Sequence, residues 1–279
     1  GSETILIAEN FASNLQKIIN ETKIKNVIIT NVGELLGFKG VLLNFVLRRI
    51  KKLVPKYSIP NSIKFSEVIK IGSKYKFKNQ DIDREDIAFL QYTGGTTGGV
   101  KAAILSHRNI LANAIQVREW LGKKLKFGED LAICALPLYH IFALTCNSMV
   151  YFYFGANNIL ITNPRDIPSF VRELKKYKFT FISGVNTLFN KLMEDPNFKY
   201  CNFSNLKISI AGGMTVQKSV GDLWQYITGC TMVVGYGLSE TAPAASIDPI
   251  NGKSFSDSIG LPLPSTEMSI QDDFGKILP

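Results

Sequence analysis

The stretch Ile87-Ala88-Phe89-Leu90-Gln91-Tyr92-Thr93-Gly94-Gly95-Thr96-Thr97-Gly98-Gly99-Val100-Lys101 decides how this chain is read. It opens as an apolar strand, Ile87–Tyr92, and breaks into a loop of four glycines and three threonines. Glycine lets a backbone turn tightly and bring successive N–H groups to bear on an anion. The threonine hydroxyls add donors, and Lys101 adds a mobile cation suited to phosphate oxygens. Ser106-His107-Arg108-Asn109 then opens a helix, with Ser106 as its N-cap. Strand, Gly/Thr loop, lysine and helix together predict a polyphosphate cradle. A Walker A loop ends Gly-Lys-Ser/Thr, whereas this one ends Gly99-Val100-Lys101-Ala102, so a P-loop NTPase is disfavoured.

Outward from the loop, short β-branched runs predict buried strands at Val27–Thr30, Leu131–Leu136, Ile159–Thr162, Phe179–Ser183, Lys207–Ala211 and Met232–Gly235. Helical periodicity separates them at Asp166–Tyr177, Val185–Glu194 and Thr215–Tyr226. Strands alternating with helices predict an α/β fold with a largely parallel sheet. From about Ser246 the helical pattern stops, and Ile270–Leu278 reads as a hairpin around Asp272-Asp273-Phe274-Gly275. Three regions follow: 1–110, a first αβ subdomain that includes the phosphate loop; 111–245, a second αβ subdomain; and 246–279, the start of a small β-rich, barrel-like subdomain.

The 279 residues suffice for a sizeable core without disulfides or metals. Cys134, Cys146, Cys201 and Cys230 are scattered without a CxxC pair, which suits a reducing compartment. Two histidines and no HExxH exclude a histidine-rich metal site. No run of apolar residues is long enough to predict a transmembrane helix. Gly1-Ser2 reads as the remnant of a cleaved tag, and the chain as a piece of a longer protein. The formal charge of +9 favours anionic partners. The cations lack the interleaved aromatics of a nucleic-acid face, so no nucleic acid is expected. Residues 34–57 combine apolar bulk with a basic end, which fits either a membrane interface or a buried helix followed by a basic turn.

The loop resembles the signature of adenylate-forming enzymes: acyl-CoA synthetases, luciferases and peptide-synthetase adenylation domains. Further motifs follow in that family's order: Leu136-Pro137-Leu138-Tyr139-His140-Ile141-Phe142, Ala211-Gly212-Gly213-Met214, Gly235-Tyr236-Gly237-Leu238-Ser239-Glu240-Thr241 and Ser258-Ile259-Gly260-Leu261-Pro262. Gly184-Val185-Asn186-Thr187-Leu188-Phe189-Asn190 and Pro262-Leu263-Pro264-Ser265-Thr266-Glu267 are similar to bacterial long-chain fatty acyl-CoA synthetases, and the likeness covers nearly the whole chain. Ala102 departs from the family's glycine after the loop lysine.

The resemblance implies the adenylate-forming N-terminal-domain fold. It also implies ATP-dependent activation of a long-chain fatty acid to acyl-AMP and then acyl-CoA, using Mg²⁺ and coenzyme A. An aryl or other apolar acid is the alternative substrate, and a nucleotide-binding or membrane-associating module without turnover is the alternative role. Thr93, Thr96, Thr97 and Lys101 would hold phosphates in a loop shaped by Gly94, Gly95, Gly98 and Gly99. Glu240, with Thr96, would hold Mg²⁺, and Thr241 would donate to the α-phosphate. Tyr236 would stack on adenine, with Gly212, Gly213, Gly235 and Leu238 around the nucleotide. His140 would stand beside the reacting carboxylate. Val185, Asn186, Leu188, Phe189, Met214 and Gly237 would wall the acyl tunnel, so a bulky residue at 237 would shorten the accepted chain. The implied location is cytoplasmic, with a possible peripheral contact on the inner face of an anionic membrane.

Overall fold

The computed structural model describes residues 2–93 and 100–278, the side chain of Lys123 aside. The chain divides into two compact units, Gly1–Asp81 and Ile82–Pro279. In the first, β1 (Thr4–Ala8), α1 (Ala12–Ile18), β2 (Asn26–Thr30), α2 (Gly37–Phe45), β3 (Ile63–Lys64) and α3 (Phe65–Gly72) follow one another. The three strands form a parallel sheet in the order β1-β2-β3. Ala12, Leu15, Val27 and Ile59 make its core. Residues 34–57 hold α2, whose outer face is exposed rather than buried.

The second unit opens with β4 (Ile87–Thr93) and β5 (Lys101–Ser106), followed by α4 (His107–Leu121). Lys101 begins a strand antiparallel to β4, opposite Thr93, so a second strand stands between the lysine and the helix. Ala102 pairs with Tyr92 inside this ladder, a strand position where a Cβ is ordinary. Ser106 caps α4 as expected, its Oγ accepting the Asn109 N–H at 3.3 Å while Asn109 Oδ1 accepts the Ser106 N–H at 2.9 Å. The hairpin and α4 share a core within the second unit: Leu105, Ile110, Ile141 and Ala242 are buried together.

The chain continues through β6 (Leu131–Cys134), α5 (Ile141–Ala143), α6 (Val150–Tyr153), β7 (Asn157–Leu160), α7 (Ile167–Leu174), β8 (Phe181–Gly184), α8 (Asn186–Glu194), β9 (Ile208–Gly212), α9 (Lys218–Thr228), β10 (Met232–Gly237), β11 (Ala244–Ile247) and β12 (Leu261–Pro262). These strands form one sheet in the order β12-β11-β10-β9-β8-β6-β7. The five strands from β10 to β7 are parallel, and β11 and β12 join antiparallel at one edge. Residues 246–247, assigned above to a separate β-rich region, are therefore part of this large sheet. The expected terminal hairpin is present as β13 (Ile270–Gln271) and β14 (Ile277–Leu278).

Alternate residues of a strand point to opposite faces, and both faces here are covered. On one, Ile133, Ile182 and Val234 pack with Phe170, Leu174, Phe189 and Trp224 from α7, α8 and α9. On the other, Ala132, Phe181 and Val233 pack with Val117 and Leu121 of α4 and with Val150, Tyr151 and Phe154. Two helices begin where polar partners permit. Asp166 Oδ1 accepts the Ser169 N–H at 3.1 Å to start α7. Asn186 Oδ1 accepts the Gln217 N–H at 3.1 Å, which holds the chain extended until α9 begins at Lys218. β7 begins at Asn157, earlier than predicted, because the polar pair Asn157-Asn158 hides its start from an apolarity pattern.

Candidate active site

Parallel strands deliver their carboxyl ends to one edge of a sheet, and the chain beyond those ends is where ligands of open α/β sheets bind. Three family-like motifs leave the sheet at that edge: 135–142 after β6, Gly212-Gly213-Met214 from β9, and Tyr236 to Thr241 from β10. Strands β4 and β5 both pack against the turn Ser239–Thr241, which brings the base of the phosphate hairpin to the same place. Gln91 Nε2 adds a cross-brace, donating to the Tyr139 carbonyl at 3.0 Å. Of the phosphate-loop residues singled out above, Thr93 and Lys101 stand at the two feet of the hairpin, and Gly94, Gly95, Thr96, Thr97, Gly98 and Gly99 lie outside the described residues.

Two cavities meet at the end of β10. One, of about 170 Å³, is walled by His140, Phe142, Cys146, Ile210, Gly212, Gly235 and Ala244. The other, of about 480 Å³, is walled by Met214, Val216, Val234, Phe255, Asp257 and Ser258. Gly213, Gly235, Tyr236, Gly237 and Leu238 line both, so this short segment is the partition between them. A larger, mostly apolar cavity of about 640 Å³ lies elsewhere, between Phe89, Ile110, Ile115 and Met149, and none of the expected phosphate, adenylate or acyl residues line it.

His140 caps the helical turn that opens α5: its Nδ1 accepts the Phe142 N–H at 3.3 Å. A neutral imidazole that accepts at Nδ1 carries its proton on Nε2, leaving that N–H to donate into the cavity. The neighbouring thiol of Cys146 is pushed up to about 12 by burial, so it serves as apolar wall and not as a nucleophile.

The Thr241 hydroxyl is engaged within its own turn. Its Oγ1 accepts the Leu238 N–H at 2.9 Å and lies within hydrogen-bonding reach of the Leu238 and Pro243 carbonyls. One hydroxyl donates one proton, so reaching a phosphate requires it to release a carbonyl. Glu240 is exposed and has no hydrogen-bond partner among the described residues. Such a lone carboxylate fits Mg²⁺, which is held by one or two carboxylates together with substrate phosphates. Among the described residues no group of three or more His, Cys, Asp or Glu forms a metal cage.

Of the expected acyl-wall residues, Met214 and Gly237 line a cavity. Val185, Asn186, Leu188 and Phe189 line neither cavity. Phe189 is fully buried in the core that it shares with Val216, Val234 and Phe255 of the larger cavity's wall, edge-on to Trp224 with ring centroids 4.7 Å apart. An apolar helical stripe reads the same whether it faces a tunnel or a core, and here it faces the core. Gly237 does line the cavities, but a Cβ there would sit 1.9 Å from the Pro243 carbonyl oxygen. The backbone demands that glycine, so it is no tuning point for chain length. Gly235 has room instead, the nearest atoms to an added Cβ being Ile210 Cγ2 at 3.7 Å and Ile247 Cγ1 at 3.8 Å.

Sequence reasoning also missed the residues that hold the adenylate turn in place. Asn113 of α4 binds both backbone polar groups of Ala244. Thr145 Oγ1 donates to the Ala242 carbonyl at 2.9 Å. Ala242 is buried in the left-handed region at φ 68°, strained for a residue with a Cβ, and such strain concentrates at functional turns. An asparagine within a helical pattern carries no sequence signal of its remote partner.

Comparison with known proteins shows the family and the fold. A long-chain-fatty-acid–CoA ligase of Haemophilus influenzae is 48% identical over 280 residues, covering 99% of this chain and 50% of the relative. The fold matches the anthranilate CoA ligase AuaEII in complex with anthranoyl-AMP, at TM-score 0.80 and 17% identity, over 100% of this chain and 49% of that one. It also matches a long-chain-fatty-acid-CoA ligase from Archaeoglobus fulgidus, at TM-score 0.72 and 20% identity, over 100% of this chain and 51% of that one. The chain spans about half the length of the relatives it matches. The family model for AMP-binding enzymes matches residues 6–279, and the chain belongs to that family.

Proposed function

We propose that this chain carries the nucleotide and acid sites of an enzyme that activates a long-chain fatty acid with ATP and transfers the acyl group to coenzyme A. The observation that carries the reading is the partition at Tyr236-Gly237, which sets a small cavity walled by His140 and Phe142 against a larger one with polar groups at its rim. The first suits the carboxyl end of the acid and the second the nucleotide. The relative's name, long-chain-fatty-acid–CoA ligase, supports the substrate.

In this reading a carboxylate oxygen of the fatty acid attacks the α-phosphorus of ATP. The bond from that phosphorus to the bridging oxygen breaks, and pyrophosphate leaves. Coenzyme A thiolate then attacks the acyl carbon, and AMP leaves with the carboxylate oxygen. Both reactants of the first step are anions, so donors fixed in advance are what lower the barrier. His140 Nε2–H orients the carboxylate, Lys101 and Thr93 act on the β- and γ-phosphates, and Thr241 acts on the α-phosphate. Glu240 would hold Mg²⁺, which supplies charge neutralisation on the phosphate oxygens. A cytoplasmic location belongs to the proposal and is supported by four buried, unpaired cysteines.

One observation favours a smaller acid: about 170 Å³ is less than drug-sized ligands usually occupy. A fluorescent AMP derivative displaced by palmitoyl-, hexanoyl- and benzoyl-AMP analogues separates the readings. Displacement strongest for the palmitoyl analogue supports the long-chain acid. Displacement strongest for the benzoyl analogue overturns it in favour of an aryl acid.

A further inference from the structure

The helix that begins after His140 changes pitch as it passes the small cavity. Leu144–Met149 is π-helical, with α5 before it and α6 after it. Successive residues of an α-helix stand about 100° apart, so three in a row turn through about 200° and do not all face inward. The wider π turn closes that angle, and Thr145, Cys146 and Asn147 are all buried. Wide turns of this kind inside α-helices are frequent at functional sites.

Each of the three reaches a different neighbour. Cys146 lines the small cavity. Asn147 pins the helix to the sheet. Its Oδ1 accepts the Ser183 hydroxyl from β8 at 2.6 Å, and its Nδ2 donates to the Ile133 carbonyl of β6 at 3.4 Å. Its own carbonyl accepts Asn158 Nδ2 from β7 at 2.9 Å. Thr145 crosses to the adenylate turn, its Oγ1 donating to the Ala242 carbonyl at 2.9 Å. Four residues earlier on the same helix, Ile141 is buried in one cluster with that alanine.

His140 has no position independent of this helix. Its N–H donates to the Pro137 carbonyl at 2.9 Å, and its carbonyl accepts the Leu144 N–H at 3.0 Å. Its Nδ1 accepts the Phe142 N–H at 3.3 Å. Ala242 directly follows Thr241. The Thr145–Ala242 bond therefore joins the segment that carries the imidazole to the turn that carries the Thr241 hydroxyl, and the carboxylate and the α-phosphorus must meet between those two groups. Asn147 meanwhile keeps the helix from following the turn off the sheet.

We propose that Thr145 and Asn147 are positioning residues: Asn147 holds the π turn on the sheet, and Thr145 sets His140 against the adenylate turn, so that a displacement of the turn is felt at the imidazole. The use of that link in orienting a carboxylate rests on the function proposed above.

Histidine NMR on the 279-residue protein tests the link without a ligand. The chain has two histidines, and His107→Gln leaves the His140 signal alone in view. Thr241→Ala loosens the adenylate turn and should shift that signal. In a Thr145→Val background the same change should leave it in place, and Thr145→Ser should restore the response. Ser183→Ala frees the Asn147 amide and should blunt the response as well, which decides the matter if Thr145→Val does not fold. No response in the parent, or an equal response without the Thr145 or the Ser183 hydroxyl, overturns the proposal.

Binding then reads what the link is for. His140→Ala and Thr145→Val should each lower affinity for a palmitoyl-AMP analogue relative to AMP by about fivefold, the worth of one hydrogen bond, and the double variant should lose no more than either. Effects that multiply in the double variant overturn a role exerted through His140. An unchanged ratio in His140→Ala overturns the acid-site reading instead, and the NMR response still decides the link.

Discussion

The side-chain amide of Asn113 grips the backbone of Ala244 twice, Nδ2 donating to its carbonyl at 2.7 Å and Oδ1 accepting its N–H at 3.0 Å. Asn113 sits two turns into the helix that leaves the phosphate hairpin, and Ala244 follows the adenylate turn. The amide therefore stands in for a neighbouring strand and joins the two motifs. Asn113→Leu strands two backbone groups and should destabilise the protein by about 2–4 kcal/mol in urea denaturation. Asn113→Asp keeps the acceptor and should cost less. Equal stability of the leucine variant and the parent would contradict the clamp.

Gly237 and Gly235 should behave oppositely. An alanine methyl at 237 meets the Pro243 carbonyl at 1.9 Å and must move backbone, whereas at 235 it makes only ordinary contacts beyond 3.4 Å. Gly237→Ala should lower stability by about 2 kcal/mol or more. Gly235→Leu should stay folded and lose affinity for acyl-AMP analogues more than for AMP. Thermal melts paired with the two affinities check both, and a Gly235→Leu variant that binds both ligands as the parent does would contradict the cavity assignment.

Thr241 serves its own turn as well as any ligand. Thr241→Ala should cost about 1 kcal/mol of stability through the lost bond to the Leu238 N–H, and Thr241→Ser should recover it. The exposed Glu240 should show the reverse pattern. Glu240→Gln should leave the melt unchanged and reduce the Mg²⁺ dependence of nucleotide binding, as read by calorimetry with and without the metal.

Asp130 gives the protein an acid-side dependence. Burial alone would raise its carboxyl, but the Lys126 N–H at 2.6 Å, Lys207 Nζ at 2.8 Å and Thr180 together outweigh that and hold it below the usual carboxylate range. A lowered folded-state value means that its contribution is complete above the unfolded value, about 3.9. The contribution is lost as pH falls from there through the folded-state value. Asp130→Asn should therefore reduce stability at pH 7, and the difference from the parent should shrink below about pH 4. Urea denaturation as a function of pH checks the sign.

Much of the second unit was legible because buried parallel strands are uninterrupted β-branched runs: Val233-Val234 and Ile208 through Ala211 admit few other readings. The phosphate hairpin was read only in part. Its second strand, Lys101–Ser106, is a short mixed run that does not advertise a partner, and only pairing with Gln91, Tyr92 and Thr93 reveals it. Phe189, expected at the acyl wall, packs in the core, because helical periodicity reports an apolar face without saying what it faces. Asn113 and Thr145 were invisible for the opposite reason, since each acts on backbone about a hundred residues or more away.

The most direct test is calorimetric binding of a non-hydrolysable long-chain acyl-AMP analogue, compared with AMP alone, on the parent and on Gly235→Leu. Two cavities sharing the Tyr236-Gly237 wall predict that the acyl form binds more tightly than AMP, and that Gly235→Leu removes most of the difference. Equal affinity of a folded sample for both ligands would contradict a joined acid and nucleotide site.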